Sequence, residues 1–211
     1  YSLVLFEQKR SGRIFFEERF FRTADQSSNK IKFALGSCMA DDDKFLPEAE
    51  KIWRQISRFH SDLDFIVLNG DLVYSDSVPF LGFGKTPESG QIWQRYFDAL
   101  QRIPLYKMKS LIPIYSTWDD HDFGKNDADR TWMMEGGREA HQAFKAVFGF
   151  QDLPHFINID RKNGVANFFE IANMNFLLLD NTSYRQPDGH EGPWPHFGEL
   201  QGGVLLDKIG G

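Results

Sequence analysis

The sequence predicts a layered α/β fold, and three observations carry that prediction. Short apolar runs of strand length alternate with segments whose apolar residues recur at helical spacing. Residues 64–71, DFIVLNGD, form an unalternating apolar run closed by Gly and Asp, the pattern of a strand buried on both faces. Polar clusters follow four of the apolar runs, and in open α/β sheets ligands gather beyond the carboxyl ends of the strands.

Residues 1–23, YSLVLFEQKRSGRIFFEERFFRT, predict two strands joined at Arg10-Ser11-Gly12. This hairpin (1–24) is one unit, and residues 31–211 form the main one. The polar stretch ADQSSNK separates them. IKFALG (31–36) predicts a short strand, and SCMADDDKFL the loop after it. Pro47 suits a first helical turn, and Ile52, Trp53, Ile56 and Phe59 then share one face. After the strand at 64–71 comes a loop over 72–90, rich in Gly, Pro and Ser. A second helix carries Ile92, Trp93, Tyr96, Phe97 and Leu100 on one side. Residues 111–118 predict the third buried strand and 138–148 a helix. Residues 163–180 predict a hairpin, with strands at 165–171 and 175–180 about a turn near Asn173. The chain is then polar until Gly198-Glu199-Leu200-Gln201, where another helix begins.

Composition narrows the function classes. With 211 residues there is room for one domain with a proper core, with or without a small appendage. The apolar share of 41% and charged share of 26% are ordinary for a globular chain. A net charge of −6, with no cluster of Lys and Arg, argues against nucleic acid as the main partner. The single cysteine, Cys38, excludes an internal disulfide. No apolar run approaches the ~18 residues of a membrane span. The start shows no signal-peptide pattern, but it is Tyr1 and not Met. A processed or cut piece is expected, which leaves location open.

Residues 117–129 read TWDDHDFGKNDAD, with five aspartates, one histidine and one asparagine behind an apolar strand. Like charges so close repel, and burying them is costly unless a cation or a hydrogen-bond network compensates. The other strand ends supply Cys38 in GSCM, and Asp71 and Tyr74 in NGDLVYSD. Glycine at position 70 lets the chain turn so that the next carboxylate points into a site. Asp119, Asp120 and His121 close the third strand. Carboxylates favour Ca²⁺, Mg²⁺ or Mn²⁺, whereas thiolate, phenolate and imidazole favour Fe or Zn. A site offering both sets suits two unlike metals with one Asp bridging them. Two metals ~3.5–4 Å apart are a recurring device of phosphoryl transfer. Singly, each residue has a plain structural reading as packing, turn or cap. Four such clusters at successive strand ends favour a joint metal site.

GSCM, NGDLVYSD, WDDHDFGKND and LLLDNTSYR, in this order, resemble the PhoD-like alkaline phosphatases and phosphodiesterases of the calcineurin-like metallophosphoesterase superfamily. The resemblance runs from about Lys32 to Gln201, where GELQ is similar to the entry of the family's next helix. It implies part of a four-layer α/β sandwich, with the N-terminal hairpin as the last strands of a preceding small β-domain. It also implies iron held by Cys38, Asp71 and Tyr74, with Asp71 bridging to calcium. The mixed ligand set also tolerates Zn or Mn. By the same resemblance Asp120 is a ligand of the second metal, and His121 protonates the leaving group. Asn126 offers an oxygen to that metal or to substrate, and Asp119 is either a further ligand or the group that orients His121.

The activity so implied is hydrolysis of phosphate monoesters or diesters by a dinuclear-metal hydroxide. The partner is a phosphoester substrate, with no nucleic acid and no membrane span, and the resemblance favours an extracytoplasmic location. The family's remaining ligands lie in a later GDxHx-type motif, which the chain to Gly211 does not contain. His190 and His196 follow no apolar strand and are read as surface residues. The chain is therefore expected to be the first half to two-thirds of an enzyme, inactive alone, with exposed apolar surface. The alternative is a truncated, non-catalytic ion-binding or structural module that chelates one ion with Asp71, Asp119 and Asp120. A nuclease on the same scaffold is disfavoured by the low basicity.

Overall fold

A computed structural model describes residues 1–59, 62–77, 87–88, 90–149, 156–160, 162–189 and 196–209. Among them, three small sheets and five helices make a mixed α/β architecture. The predicted loop over 72–90 lies partly outside the described residues, and His190 wholly so.

The N-terminal hairpin forms as predicted. β1 (Ser2–Lys9) and β2 (Gly12–Phe21) pair antiparallel, with one irregularity between Leu5 and Phe6. Next in the chain come β3 (Phe33–Gly36), α1 (Leu46–Phe59), β4 (Phe65–Asn69) and α2 (Gln91–Arg102). The predicted third strand is two strands. β5 (Ser110–Leu111) joins the hairpin's sheet beside β2, while β6 (Ile114–Thr117) joins β4. Pro113 explains the division, because it has no amide hydrogen to give a ladder. Its carbonyl still accepts from Ile66 N at 2.8 Å.

β3, β4 and β6 form a parallel sheet with β4 in the middle. Phe65, Ile66, Val67 and Leu68 are all buried, as an unalternating run requires. Alternate β4 residues serve two cores. Ile66 and Leu68 pack with Trp53 of α1, Ile92 and Tyr96 of α2, and Phe144 of α4 (Gly137–Phe148). Phe65 and Val67 pack with Phe169 and Ile171 of a second, antiparallel sheet. That sheet contains β7 (Phe156–Asn158), β8 (Asn167–Ile171) and β9 (Met174–Leu178). Stacked rings join the layers at Tyr115 on Phe169, 3.9 Å apart, and Phe169 stacks in turn on Phe176 of its own sheet at 4.9 Å. The order across the molecule is helices, parallel sheet, antiparallel sheet.

Ala172 and Asn173 turn the chain between β8 and β9 with φ of 50° and 63°. Two positive φ values suit a tight hairpin turn whose twist matches its strands. β9 is less buried than the sequence predicts, with Met174 and Asn175 exposed and 176–178 half-buried. Two predicted helical faces are also narrower. Ile52 and Phe59 of α1 are exposed, as is Phe97 of α2, while Ile92, Tyr96 and Ala99 are buried. α1 and the β3 edge of the sheet line an open groove between them, and no further strand lies beyond β3 among the described residues. α5 (Gly198–Ile209) begins at the predicted GELQ. Its buried Gln201 accepts from Asp180 N and donates to Asp180 O, both at 2.8 Å. No described helix is long and apolar enough to cross a membrane.

Candidate metal centre

The parallel ladder carries on past the strands. Gly70 N donates to Thr117 O at 3.1 Å, Cys38 N to Gly70 O at 3.2 Å, and Met39 N to Asp71 O at 2.7 Å. The three loops behind β3, β4 and β6 therefore leave the sheet side by side. Gly70 has φ 87°, and a Cβ there would stand 2.6 Å from the Asp119 Cβ, so only glycine lets the loops touch. Cys38 (φ 57°) and Asp71 (φ 55°) both take the left-handed conformation. For non-glycine residues this costs of order 1–3 kcal/mol each and persists where surroundings enforce it, often at functional sites.

Asp71 is the centre of what these turns assemble. Its Oδ2 lies 3.6 Å from Cys38 Sγ and 3.5 Å from Tyr74 Oη. Its Oδ1 is buried with no hydrogen-bond partner. Asp71, Asp120 and His121 also offer ligand atoms within 4.8 Å of one another. One carboxylate thus belongs to two donor groups, one with a thiol and a phenol, the other with a carboxylate and an imidazole. An orphaned buried oxygen and this mixed donor set fit metal cations.

The single turn α3 (Asp120–Phe123) arranges the second group. Asp119 caps the turn, accepting from Asp120 N at 2.9 Å, and Asp122 accepts from Asp119 N at 3.1 Å, a reciprocal capping box. The other oxygen of fully buried Asp122 accepts from Leu72 N at 2.9 Å and Val73 N at 2.7 Å. It pins the loop behind Asp71 to the turn behind β6. Burial drives the Asp122 carboxyl well above its ordinary range, with the three amides opposing. Asp120 accepts from His121 N at 3.0 Å and from Asp127 N.

Of the two roles expected for Asp119, ligand or orienter of His121, the carboxylate contact to the ring that the second requires is made by Asp76. His121 Nδ1 lies 2.8 Å from the fully buried Asp76 Oδ1, while the Asp119 side chain accepts from the backbone of its own helical turn and, at 2.8 Å, from Thr182 Oγ1. An N-cap carboxylate turns back onto its own helix, which keeps Asp119 from the ring two residues on. Asn126 is exposed, and its side-chain amide donates to Asp127 Oδ2 at 2.6 Å. What it brings to the site is its backbone N–H, given to Asp76 Oδ2 at 3.1 Å. LDNTSYR supplies supports. Asp180 accepts from Trp118 Nε1 at 2.9 Å and Val165 N at 2.8 Å, and Thr117 Oγ1 donates to Leu179 O at 3.0 Å. His196 is exposed. His141 is buried against Trp118, with Nε2 3.0 Å from Gly164 O.

The electrostatics of the cluster call for positive charge. Burial raises the Asp71 carboxyl, His121 opposes this, and the charges of Asp119 and Asp120 add to the rise. Burial likewise raises the Tyr74 phenol, with Asp71 and Cys38 contributing. Burial disfavours the imidazolium of His121, yet the hydrogen bond and charge of Asp76, with Asp120 and Asp71, outweigh it and raise its pKa.

Asp76 and Asp122 were not singled out by sequence reasoning. Asp122 carries a signal in the Asp119-x-x-Asp122 capping spacing. Asp76 carries none beyond lying inside NGDLVYSD, since its partner is distant in sequence. No family model, curated protein or solved structure matches this chain.

Proposed function

We propose that the Asp71 cluster is part of a dinuclear metal centre for phosphoester hydrolysis, of the PhoD-like type that the motifs resemble. The observation that carries this is the double membership of Asp71, in one donor group with Cys38 and Tyr74 and in another with Asp120 and His121. In this reading Cys38, Asp71 and Tyr74 hold iron, and Asp71 and Asp120 hold calcium, with Zn or Mn as chemically acceptable substitutes. Two such cations neutralise charge on a phosphoryl group and lower the pKa of water. His121 donates its proton to the leaving oxygen. Asp76 engages Nδ1 and favours the protonated ring, so that Nε2 is the nitrogen that delivers the proton. The helices, the parallel sheet and the antiparallel sheet are then three layers of the metallophosphoesterase sandwich.

The rival single-ion module with Asp71, Asp119 and Asp120 has less support, because Asp119 is occupied as a helix cap. The test compares wild type, Cys38→Ser and His121→Ala after equilibration with iron and calcium. Elemental mass spectrometry should show iron lost from Cys38→Ser. In a polypeptide that also carries the later GDxHx-type ligands, hydrolysis of a chromogenic phosphodiester should fall roughly 10²–10⁴-fold in His121→Ala. Unchanged iron in the first variant, or unchanged turnover in the second, contradicts the assigned role.

A further inference from the structure

We propose that the segment after β9 is a positioning element for the second cation, in which Arg185 and Thr182 set the direction of the Asp120 carboxylate from outside the ligand shell. The proposal rests on the dinuclear reading above and concerns residues that touch neither metal nor substrate.

Asp120 is aimed by two backbone amides. One, from His121, is fixed by the helical turn. The other comes from Asp127, in a loop that must be held in place. Asp127 has φ 56°, a conformation that a non-glycine residue keeps only under constraint. Arg185 supplies that constraint, because its Nη2 donates to Asp127 O at 2.6 Å. Arg185 is itself fixed through its backbone. Its N–H donates to Asn181 O at 3.1 Å, and its carbonyl accepts from Arg130 N at 3.0 Å, on the far side of the same loop. The segment therefore grips the loop from both ends.

Thr182 acts on the opposite flank. Its Oγ1 donates at 2.8 Å to Asp119 Oδ1, the same oxygen that caps Asp120 N at 2.9 Å. The backbone of Asp120 is thus anchored through Asp119, and its carboxylate through Asp127. Both lines lead back to the turn at 181–185 that follows β9. Calcium sites tune affinity through rigidity as well as charge, and partners beyond the ligands commonly change metal affinity about 10–100-fold.

The test uses wild type, Arg185→Met, Arg185→Lys, Thr182→Val and Thr182→Ser. Calcium affinity is read by titration calorimetry, and iron content by elemental mass spectrometry. Arg185→Met should weaken calcium roughly tenfold while iron stays at the wild-type level, since Arg185 acts through Asp127 on Asp120 and bonds neither Cys38 nor Tyr74 in the contacts described. Lysine keeps one donor for the Asp127 carbonyl and should restore most of the affinity. Thr182→Val should weaken calcium and Thr182→Ser should not. Wild-type calcium affinity in both Arg185→Met and Thr182→Val overturns the proposal, and so does a parallel loss of iron and calcium, which marks a general structural role. A wild type that takes up neither metal removes the dinuclear reading, and the proposal falls with it.

Discussion

At the scale of residues, the aspartates of 117–129 are divided among separate tasks. Asp119 and Asp129 each cap a helical turn, Asp122 is a buried staple, and Asp120 faces Asp71. Asp76 comes from a different loop and gives His121 its charge partner. The folded pKa of His121 is raised, so its contribution to stability is full below the unfolded value of about 6.5. That contribution disappears as pH rises through the folded pKa. Urea unfolding at about pH 6 and about pH 9 measures it. Wild type should lose stability across this window on account of His121, and Asp76→Asn should lose less over the same window. An identical pH slope in the two proteins would show that Asp76 does not set the histidine's charge.

At the scale of elements, the structure depends on loops pinned to one another more than on long regular segments. Arg95 of α2 shows this. It pairs with Asp41 at 2.7 Å while its Nε donates to Tyr74 O at 3.2 Å, which fixes the loops after β3 and β4 together. Asp41 is buried, and its Oδ2 has no hydrogen-bond partner, so Arg95 carries most of its compensation. Arg95→Met would leave a buried carboxylate unpaired and should cost about 3–5 kcal/mol in urea unfolding. A loss below about 1 kcal/mol would mean that water reaches Asp41.

Elements with local signals were legible in the sequence. The N-terminal hairpin, the helix from 138 and the turn at Asn173 rest on turn chemistry and periodicity, and they formed where expected. The break at Pro113 was equally local, but the apolar run around it concealed the change of sheet. The His121–Asp76 pair depends on how two loops leave the sheet, which no spacing encodes. The overfilled helix faces, with Ile52, Phe59 and Phe97 outside, depend on what lies beyond the β3 edge and around α2.

At the scale of the whole molecule, the three parallel strands act as a comb that brings distant residues to one edge. The strand register carries Cys38, Asp71 and Asp120 to that edge, and the segment after β9 braces it through Asp180, Thr182 and Arg185. The other extremities are apolar. Leu3, Leu5, Phe15 and Phe16 of the hairpin are exposed, and an open groove of about 520 Å³ beside β3 is lined by Leu35, Phe45 and Ile52. Exposed apolar area on this scale is uncommon on a monomer's surface, and the groove reaches the candidate centre, since Cys38 and Tyr74 also line it.

The central claim is that one carboxylate serves two metals. The direct measurement is elemental analysis of wild type and Asp71→Asn, in a polypeptide that also carries the later GDxHx-type ligands, after equilibration with iron and calcium. The account predicts stoichiometric iron and calcium in wild type and loss of both in the variant, because the amide removes the shared charge. Loss of only one metal from Asp71→Asn, or neither metal in wild type, would contradict it.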